Sequence, residues 1–498
     1  MKQQLKQILG HNWFFPIILL NYGLFYILFL EKYPASDGFG TDGYVYRSLI
    51  IDFTKSNFYD AYYIHRIFPS LLIRNIFSLA SLELSPVNIF YGFEFLNLAC
   101  LVVSAFYIKK LLVFFKITFK NQLLAFLLLF INFAALKWPY YFPAMTDSIA
   151  FMLSIVLLYA YLENSTVWIA IITIVLAFTW PMGFYQGLLL IAFPYRPVSY
   201  GSPGKMCKAI LYIVSLGLFL SAFIYVILVN KGNTDLVFVP RIEQNLLLYS
   251  VLFVAMMYLA FARLFFNTEI FNLNYLLKSL DLKRIFLALS VFAGVAICVS
   301  ILDLPQSKIY NVSSVLENPV IHSLVRPLLS IVAHFSFYGI AVCLIIIFWK
   351  DLSATISKAG HGLLAAIALN LYLFGIMPES RMLINLFPWL IILLIYSVNN
   401  YSFTNAFYIV TAGLCAVASK IWLLIDYEMD YVLGMVTDKN GSLDFPNQRF
   451  YMNLGPWMSE KAYYIHGGAM LISVLILFFM VYRIRVQEGS KVKLNGGQ

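Results

Sequence analysis

The sequence predicts an all-α polytopic membrane protein, and three observations lead there. Of its 498 residues, 61% are hydrophobic and only 12% are charged, whereas a soluble surface of that size needs about 25% charged residues. Mean hydropathy is +0.81. The basic excess, 34 Lys and Arg against 24 Asp and Glu, is scattered through short segments between apolar runs. A net charge spread in that way marks a membrane face and gives no patch for nucleic acid.

Apolar runs that cross, or nearly cross, about 30 Å of hydrocarbon lie near residues 13–30, 87–108, 121–137, 148–162, 166–179, 183–194, 208–229, 245–265, 285–302, 325–349, 361–377, 386–398, 404–425 and 467–483. The expectation is a bundle of about 14 transmembrane helices, with those at 166–179, 183–194 and 386–398 the shortest. The first run is long and is followed by no small-residue cleavage site, so it reads as a retained span. With the N terminus inside, Lys2 and Lys6, Lys109 to Lys120, Arg196 to Lys208, Lys278 to Arg284, Lys350 to Lys358 and Arg483 to Lys493 all fall on one side, and both ends are cytoplasmic. Residues 1–483 then form one integral membrane domain. Residues 484–498 form a basic cytoplasmic tail, polar and read as disordered.

The opposite face receives 31–86, 138–147, 180–182, 230–244, 303–324, 378–385 and 426–466, which are rich in Tyr, Trp, Pro, Asp and Arg. The loops at 31–86, 303–324 and 426–466 are the principal outer segments. The five cysteines lie in or beside apolar runs without a C-x-x-C pair, so no disulfide framework is expected. A P-loop, a dinucleotide-binding glycine fingerprint and H-E-x-x-H are all missing, which leaves ATP-driven and zinc-protease chemistry without a motif.

The first outer loop carries the most chemistry. Asp37 and Asp42 follow the first span almost at once, where a carboxylate can reach a substrate whose tail stays in the bilayer. Tyr44 opens a tyrosine-rich stretch suited to sugar or acceptor contacts. In "YYIHRIFPSLLIRNIF", a flat amphipathic helix puts Ile64, Ile67, Leu71 and Phe77 on its apolar side while His65, Arg66 and Arg74 face a head group. Arg66 and Arg74 suit a phosphate through charge-assisted contacts. The same residues also read as turns and as decoration of an interfacial helix.

Other outer segments add polar groups. Asp147, in "YFPAMTDSIAF", reads as the N-cap of the next helix together with Thr146 and Ser148, or as a second carboxylate that steers a hydroxyl or a cation. Lys137 could neutralise it or a phosphate. His322 and Arg326 share a helix face at i,i+4 near the outer end of a span, where they are candidates to bind substrate or the lipid phosphate, and His334, about three turns below, reads as a satisfied core histidine. Glu379 and Arg381 pair at a turn or grip a phosphate, with Glu379 orienting Arg381. Tyr451 and Trp457 offer aromatic faces for a sugar, and serve equally as interface-belt residues.

These pieces, "SDGFGTDGYVYR", "YYIHRIFPSLLIR", "YFPAMTDSIAF" and "PESRMLINLFP", resemble the membrane-integral glycosyltransferases of the GT-C superfamily, in pattern the bacterial members that use polyprenyl-phosphate sugars. The resemblance implies a multispan helical body with extracytoplasmic juxtamembrane helices. It also implies a carboxylate base, Asp42 or Asp37, and phosphate contacts from Arg66 and Arg381. The implied partners are a polyprenyl-phosphate-sugar donor, a glycan or lipid-linked acceptor and the lipid bilayer of a bacterial cytoplasmic membrane. No soluble sugar-binding domain is expected after the last span, and "TDG" is not a paired-acid motif, which points to envelope polysaccharide or lipid-linked glycan and away from protein modification. No cofactor is assigned; if a divalent cation takes part, Asp37, Asp42 and Asp147 are its oxygen ligands. Competing readings are a transporter or flippase of lipid-linked saccharide, a polysaccharide polymerase, and an O-acyltransferase built on His334.

Overall fold

Backbone breaks, more than hydropathy, decide how this chain crosses a membrane. The computed structural model describes residues 13–29, 39–52, 61–229, 242–302, 314–423, 455 and 458–495, which form helices joined by short turns. Helix α1 (Phe14–Phe29) precedes the loop helices α2 (Gly40–Ile51), α3 (Ala61–Ile64) and α4 (Phe68–Leu79), and these lead to the long α5 (Pro86–Phe114). α5 starts cleanly because the Ser85 hydroxyl accepts from the Asn88 N–H and Pro86 sits in the first turn, where no N–H is needed.

Helix α6 (Phe119–Phe130) ends just before Asn132, whose Oδ1 caps the next turn by accepting from the Ala135 N–H at 3.0 Å. The short α7 (Phe133–Leu136) and α8 (Trp138–Tyr141) leave α6 at 71°. Helices α9 (Asp147–Leu162), α10 (Thr166–Ala177) and α11 (Pro181–Ala192) follow. α10 and α11 have 12 residues each. At 1.5 Å per residue each reaches only about 18 Å.

Next come α12 (Lys205–Val229), α13 (Leu247–Phe261), α14 (Leu273–Ser279), α15 (Leu282–Leu302) and α16 (Ser314–Ser323). The run at 325–349 is divided among α17 (Leu329–Tyr338), α18 (Ile340–Ile347) and α19 (Trp349–Lys358). Gly339, at φ 62°, makes the first break, and α18 meets α19 at 78°. Helices α20 (His361–Phe374), α21 (Phe387–Ser397), α22 (Asn405–Ala418) and α23 (Glu460–Asn495) complete the chain. The tail expected to be disordered is helical as far as Asn495.

Among the described residues, five segments are long and apolar enough to cross a membrane: Pro86–Phe114, Lys205–Ile224, Gln244–Phe265, Leu282–Leu302 and Glu460–Ile484. The number rises to seven if the bent pairs over Phe119–Tyr141 and Ile340–Lys358 each count as one. The expected GT-C-like bundle of about 14 transmembrane helices is therefore corrected. Caps, prolines and a left-handed glycine cut the apolar runs into pieces too short to span. Several pieces also spend their hydrophobicity inside the protein: every residue of α21 from Phe387 to Ile395 is buried. The coarser expectation stands. The protein is a multi-pass, all-α membrane protein, with Leu282, Phe286 and Leu289 on α15 and Leu471, Ile472 and Phe479 on α23 exposed where lipid would cover them.

The core packs α1 and α9 on α5, α10 against α11, and α11 against α15 and α20, while α17 and α18 pack on α23. Two devices bring the site together. Asn97 of α5 donates its amide to the carbonyls of Pro139 at 2.7 Å and Pro143 at 2.9 Å, which pins the re-entrant turn before α9. Ser330, His334 and Tyr338, one turn apart along α17, bond to the carbonyl of Ile376, the hydroxyl of Ser380 and the carbonyl of Ser380 and so fix the 376–381 turn.

Candidate functional site

Four segments remote in sequence meet at one carboxylate–guanidinium cluster. Asp42 lies in the first turn of α2, and Asp147 is the first residue of α9. Arg66 follows α3, Glu379 precedes the short 3-10 turn Ser380–Leu383, and Arg381 lies within that turn. α2 approaches the turn before α9 because Gly43 has no side chain: a Cβ there would stand 2.8 Å from Ala144 Cβ and 3.3 Å from the Ala144 carbonyl.

Arg381 is the hub. Its Nε donates to Glu379 Oε1 at 2.6 Å, its Nη2 lies 3.7 Å from Asp42 Oδ2, and its Nη1 points at Met145 Sδ at 3.5 Å. The Arg381 side chain is 16% exposed and that of Asp42 20%. Tyr62 donates its hydroxyl to the same Asp42 oxygen at 3.3 Å. Burial raises the pKa of Tyr62 and of Tyr46, so both phenols stay protonated at neutral pH.

Asp147 differs from Asp42. It is 2% exposed, and neither carboxylate oxygen has a hydrogen-bond partner on another described residue. It borders a small cavity otherwise lined by Ser148 and apolar side chains such as Leu101, Phe151 and Phe387. Burial pushes its pKa up to about 6, against the lowering pull of Arg381, while Glu379 pushes the same way as burial. The N-cap reading is not what the structure shows: Thr146 occupies the cap position without a side-chain bond, and Asp147 is already helical.

Arg66 stands against two aromatic rings. Its guanidinium lies 3.9 Å from the Tyr62 ring centroid and 5.8 Å from that of Trp180, and its Nη1 donates to the Tyr62 carbonyl at 2.9 Å. No described carboxylate lies within ion-pair distance of it. The segment is held by two neighbouring bonds, His65 Nδ1 to the Ala177 carbonyl at 2.8 Å and the Phe68 N–H to the Phe178 carbonyl at 2.9 Å.

The remaining sequence candidates stand elsewhere. Arg74 donates to the carbonyls of Ile50 at 2.6 Å and Ile51 at 3.3 Å and closes the end of α2. Lys137 donates to the Leu423 carbonyl. Arg326 joins Glu243 at 2.5 Å and the Met458 carbonyl at 2.6 Å, tying three chain segments together. His322 is buried within electrostatic reach of Glu379, with burial lowering its pKa. His65 serves packing through its Ala177 bond, Tyr44 is exposed beneath the Arg47 guanidinium at 4.9 Å, and His334 is satisfied on both ring nitrogens. Asp37, Tyr451 and Trp457 lie outside the described residues.

Among the described residues no three His, Cys, Asp or Glu side chains converge as metal ligands. Asp42 is engaged by Arg381 and Tyr62. Comparison with family models, with curated proteins and with solved structures returns no match. The resemblance to the GT-C superfamily thus gains no support, and the span count contradicts its bundle.

The sequence reading missed Tyr46, Tyr62, Met145 and Trp180. Two of them carried a signal: Tyr46 is four residues from Asp42 and Tyr62 four from Arg66, a spacing that places each pair on one helical face. Trp180 and Met145 carried none, since their contacts cross from one segment to another.

Proposed function

We propose that the cluster transfers a sugar from a lipid-phosphate-linked donor to a hydroxyl of an envelope glycan or lipid-linked acceptor, at the face of the cytoplasmic membrane turned away from the cytoplasm. The observation that carries this reading is a buried carboxylate, Asp147, whose oxygens accept no hydrogen bond, together with a guanidinium, Arg66, that no described carboxylate neutralises and whose charge is felt at Asp147.

In this scheme Arg66 meets the donor phosphate, with Tyr62 and Trp180 holding the guanidinium plane. Asp147, with a pKa near 6, is ionised at neutral pH and basic enough to take the acceptor proton. The acceptor oxygen attacks the anomeric carbon, the bond from that carbon to the phosphate oxygen breaks, and the electron pair leaves with the lipid phosphate. Arg381 is neutralised by Glu379 and Asp42 and acts by setting the field at Asp147, not by gripping phosphate. The sequence reading gave the base to Asp42 or Asp37. Asp42 Oδ2 accepts from Tyr62 and forms an ion pair with Arg381, which is why the role moves to Asp147.

The test is transfer by purified protein in lipid from a panel of radiolabelled lipid-phosphate sugars, with Asp147→Asn and Arg66→Gln beside wild type. Loss of transfer with donor binding kept in Asp147→Asn, and loss of donor binding in Arg66→Gln, supports the assignment.

A further inference from the structure

We infer that Asn385 is a positioning residue for the anion-binding guanidinium of Arg66, acting through Trp180. This rests on the reading of Arg66 as the phosphate contact, and it concerns a residue that reaches Arg66 only through Trp180: the side chain of Asn385 bonds to Trp180, Asn370 and Gln186, all buried.

The hydrogen bonds leave one arrangement. Asn370 spends its Nδ2 on the Ala366 carbonyl at 3.0 Å, so it presents Oδ1, an acceptor, to Asn385. Asn385 Nδ2 therefore donates to Asn370 Oδ1 at 3.2 Å and also to Gln186 Oε1 at 2.8 Å. With both amide hydrogens used, Asn385 Oδ1 accepts from Trp180 Nε1 at 3.2 Å. The indole cannot turn without leaving its N–H unsatisfied in a buried place.

Two things follow for Arg66. The Trp180 ring, held in one orientation, faces the guanidinium at 5.8 Å, while the Tyr62 ring, tied by its hydroxyl to Asp42, lies at 3.9 Å. Each aromatic contact thus has its own polar support, and the support behind Trp180 comes from the segment that also carries Glu379 and Arg381. Asn385 couples the phosphate side of the site to the carboxylate side across the chain.

The test measures binding of a fluorescent long-chain isoprenyl monophosphate to wild-type protein in lipid nanodiscs, with melting temperature recorded beside each affinity. Asn385→Leu removes all three bonds, and Asn385→Asp keeps the shape and the acceptor for Trp180 but loses both donors. Asn385→Leu should weaken binding by about tenfold, the size found when the partner behind a metal ligand is removed, while Asn385→Asp, which keeps the Trp180 bond, should bind closer to wild type. Trp180→Phe severs the same link without touching Asn385 and keeps the test open if the Asn385 variants fail to fold. It should weaken binding in the same direction. Trp389→Phe is the control, because its indole is equally buried and donates to the Ser154 carbonyl at 2.7 Å. It should lower melting temperature and leave affinity unchanged.

Loss of binding in Arg66→Gln with wild-type affinity in Asn385→Leu and Trp180→Phe would overturn the inference and leave Arg66 as the phosphate contact. Equal losses in Trp389→Phe would also overturn it, since destabilisation alone would then explain the effect. If wild type binds no lipid phosphate, or Arg66→Gln binds it as wild type does, the functional reading itself fails.

Discussion

Arg381 Nη2 stands 3.7 Å from Asp42 Oδ2, joining the loop after the first helix to a turn near the end of the chain. The same guanidinium holds Glu379 at 2.6 Å and acts electrostatically on Asp147. One arginine therefore sets the charge balance of three carboxylates, and perturbing it should reach all of them.

The first expectation concerns the pH profile. With Asp147 as base and its pKa near 6, donor-saturated turnover should rise through about pH 6 and level above it. Arg381 lowers this pKa and Glu379 raises it. Arg381→Met should move the midpoint to higher pH and Glu379→Gln to lower pH. Midpoints that stay together in the two variants would place the titrating group elsewhere.

Stability should carry the same signature with the opposite trend. A carboxyl whose pKa is raised in the fold, from 3.8 to about 6, favours folding while it is protonated in both states and loses that advantage as pH rises through the folded value. Wild type should lose about 3 kcal/mol relative to Asp147→Asn between about pH 4 and pH 7. Denaturation of both proteins in detergent over that range checks it. A constant difference contradicts the burial of an ionisable Asp147.

Removing the hub should be costly. Arg381→Met leaves Asp42, Glu379 and Asp147 with no guanidinium between them, and should destabilise the protein by about 3 kcal/mol. Pairing it with Glu379→Gln should recover part of that loss, because one unneutralised carboxylate is removed with it. A double-mutant cycle in chemical denaturation measures the coupling.

The approach of α2 to α9 should depend on Gly43. In Gly43→Ala the new methyl meets Ala144 at 2.8 Å, which should cost about 1–3 kcal/mol and separate Asp42 from Arg381. Gly413→Ala, in α22, meets nothing within 4 Å. That change should be neutral, or stabilising by up to about 1 kcal/mol as a helical glycine is replaced. Melting temperature and transfer rate of the two variants compare them directly.

The sequence made the membrane character plain and named five members of the cluster, Asp42, Arg66, Asp147, Glu379 and Arg381, because charged groups next to apolar runs are conspicuous. It could not show that Asp147 is left without partners while Asp42 is engaged, since that difference arises from which loop docks on which. Hydropathy overcounted the spans for a related reason. Averaging over a window registers that the residues around Asn132 and Gly339 are apolar, and does not register that a side-chain cap at the first and a left-handed backbone at the second end the helix there. The amide cluster of Asn370, Asn385 and Gln186 was invisible because each lies singly in an apolar stretch.

The most direct test of the central claim is sugar transfer measured together with donor binding in wild type, Asp147→Asn and Asp42→Asn, each in lipid. The account expects Asp147→Asn to bind donor as wild type does and to transfer nothing measurable, while Asp42→Asn retains part of the activity. Full transfer by Asp147→Asn would contradict the account, as would wild-type protein that transfers no sugar but carries an intact lipid-linked glycan across the bilayer.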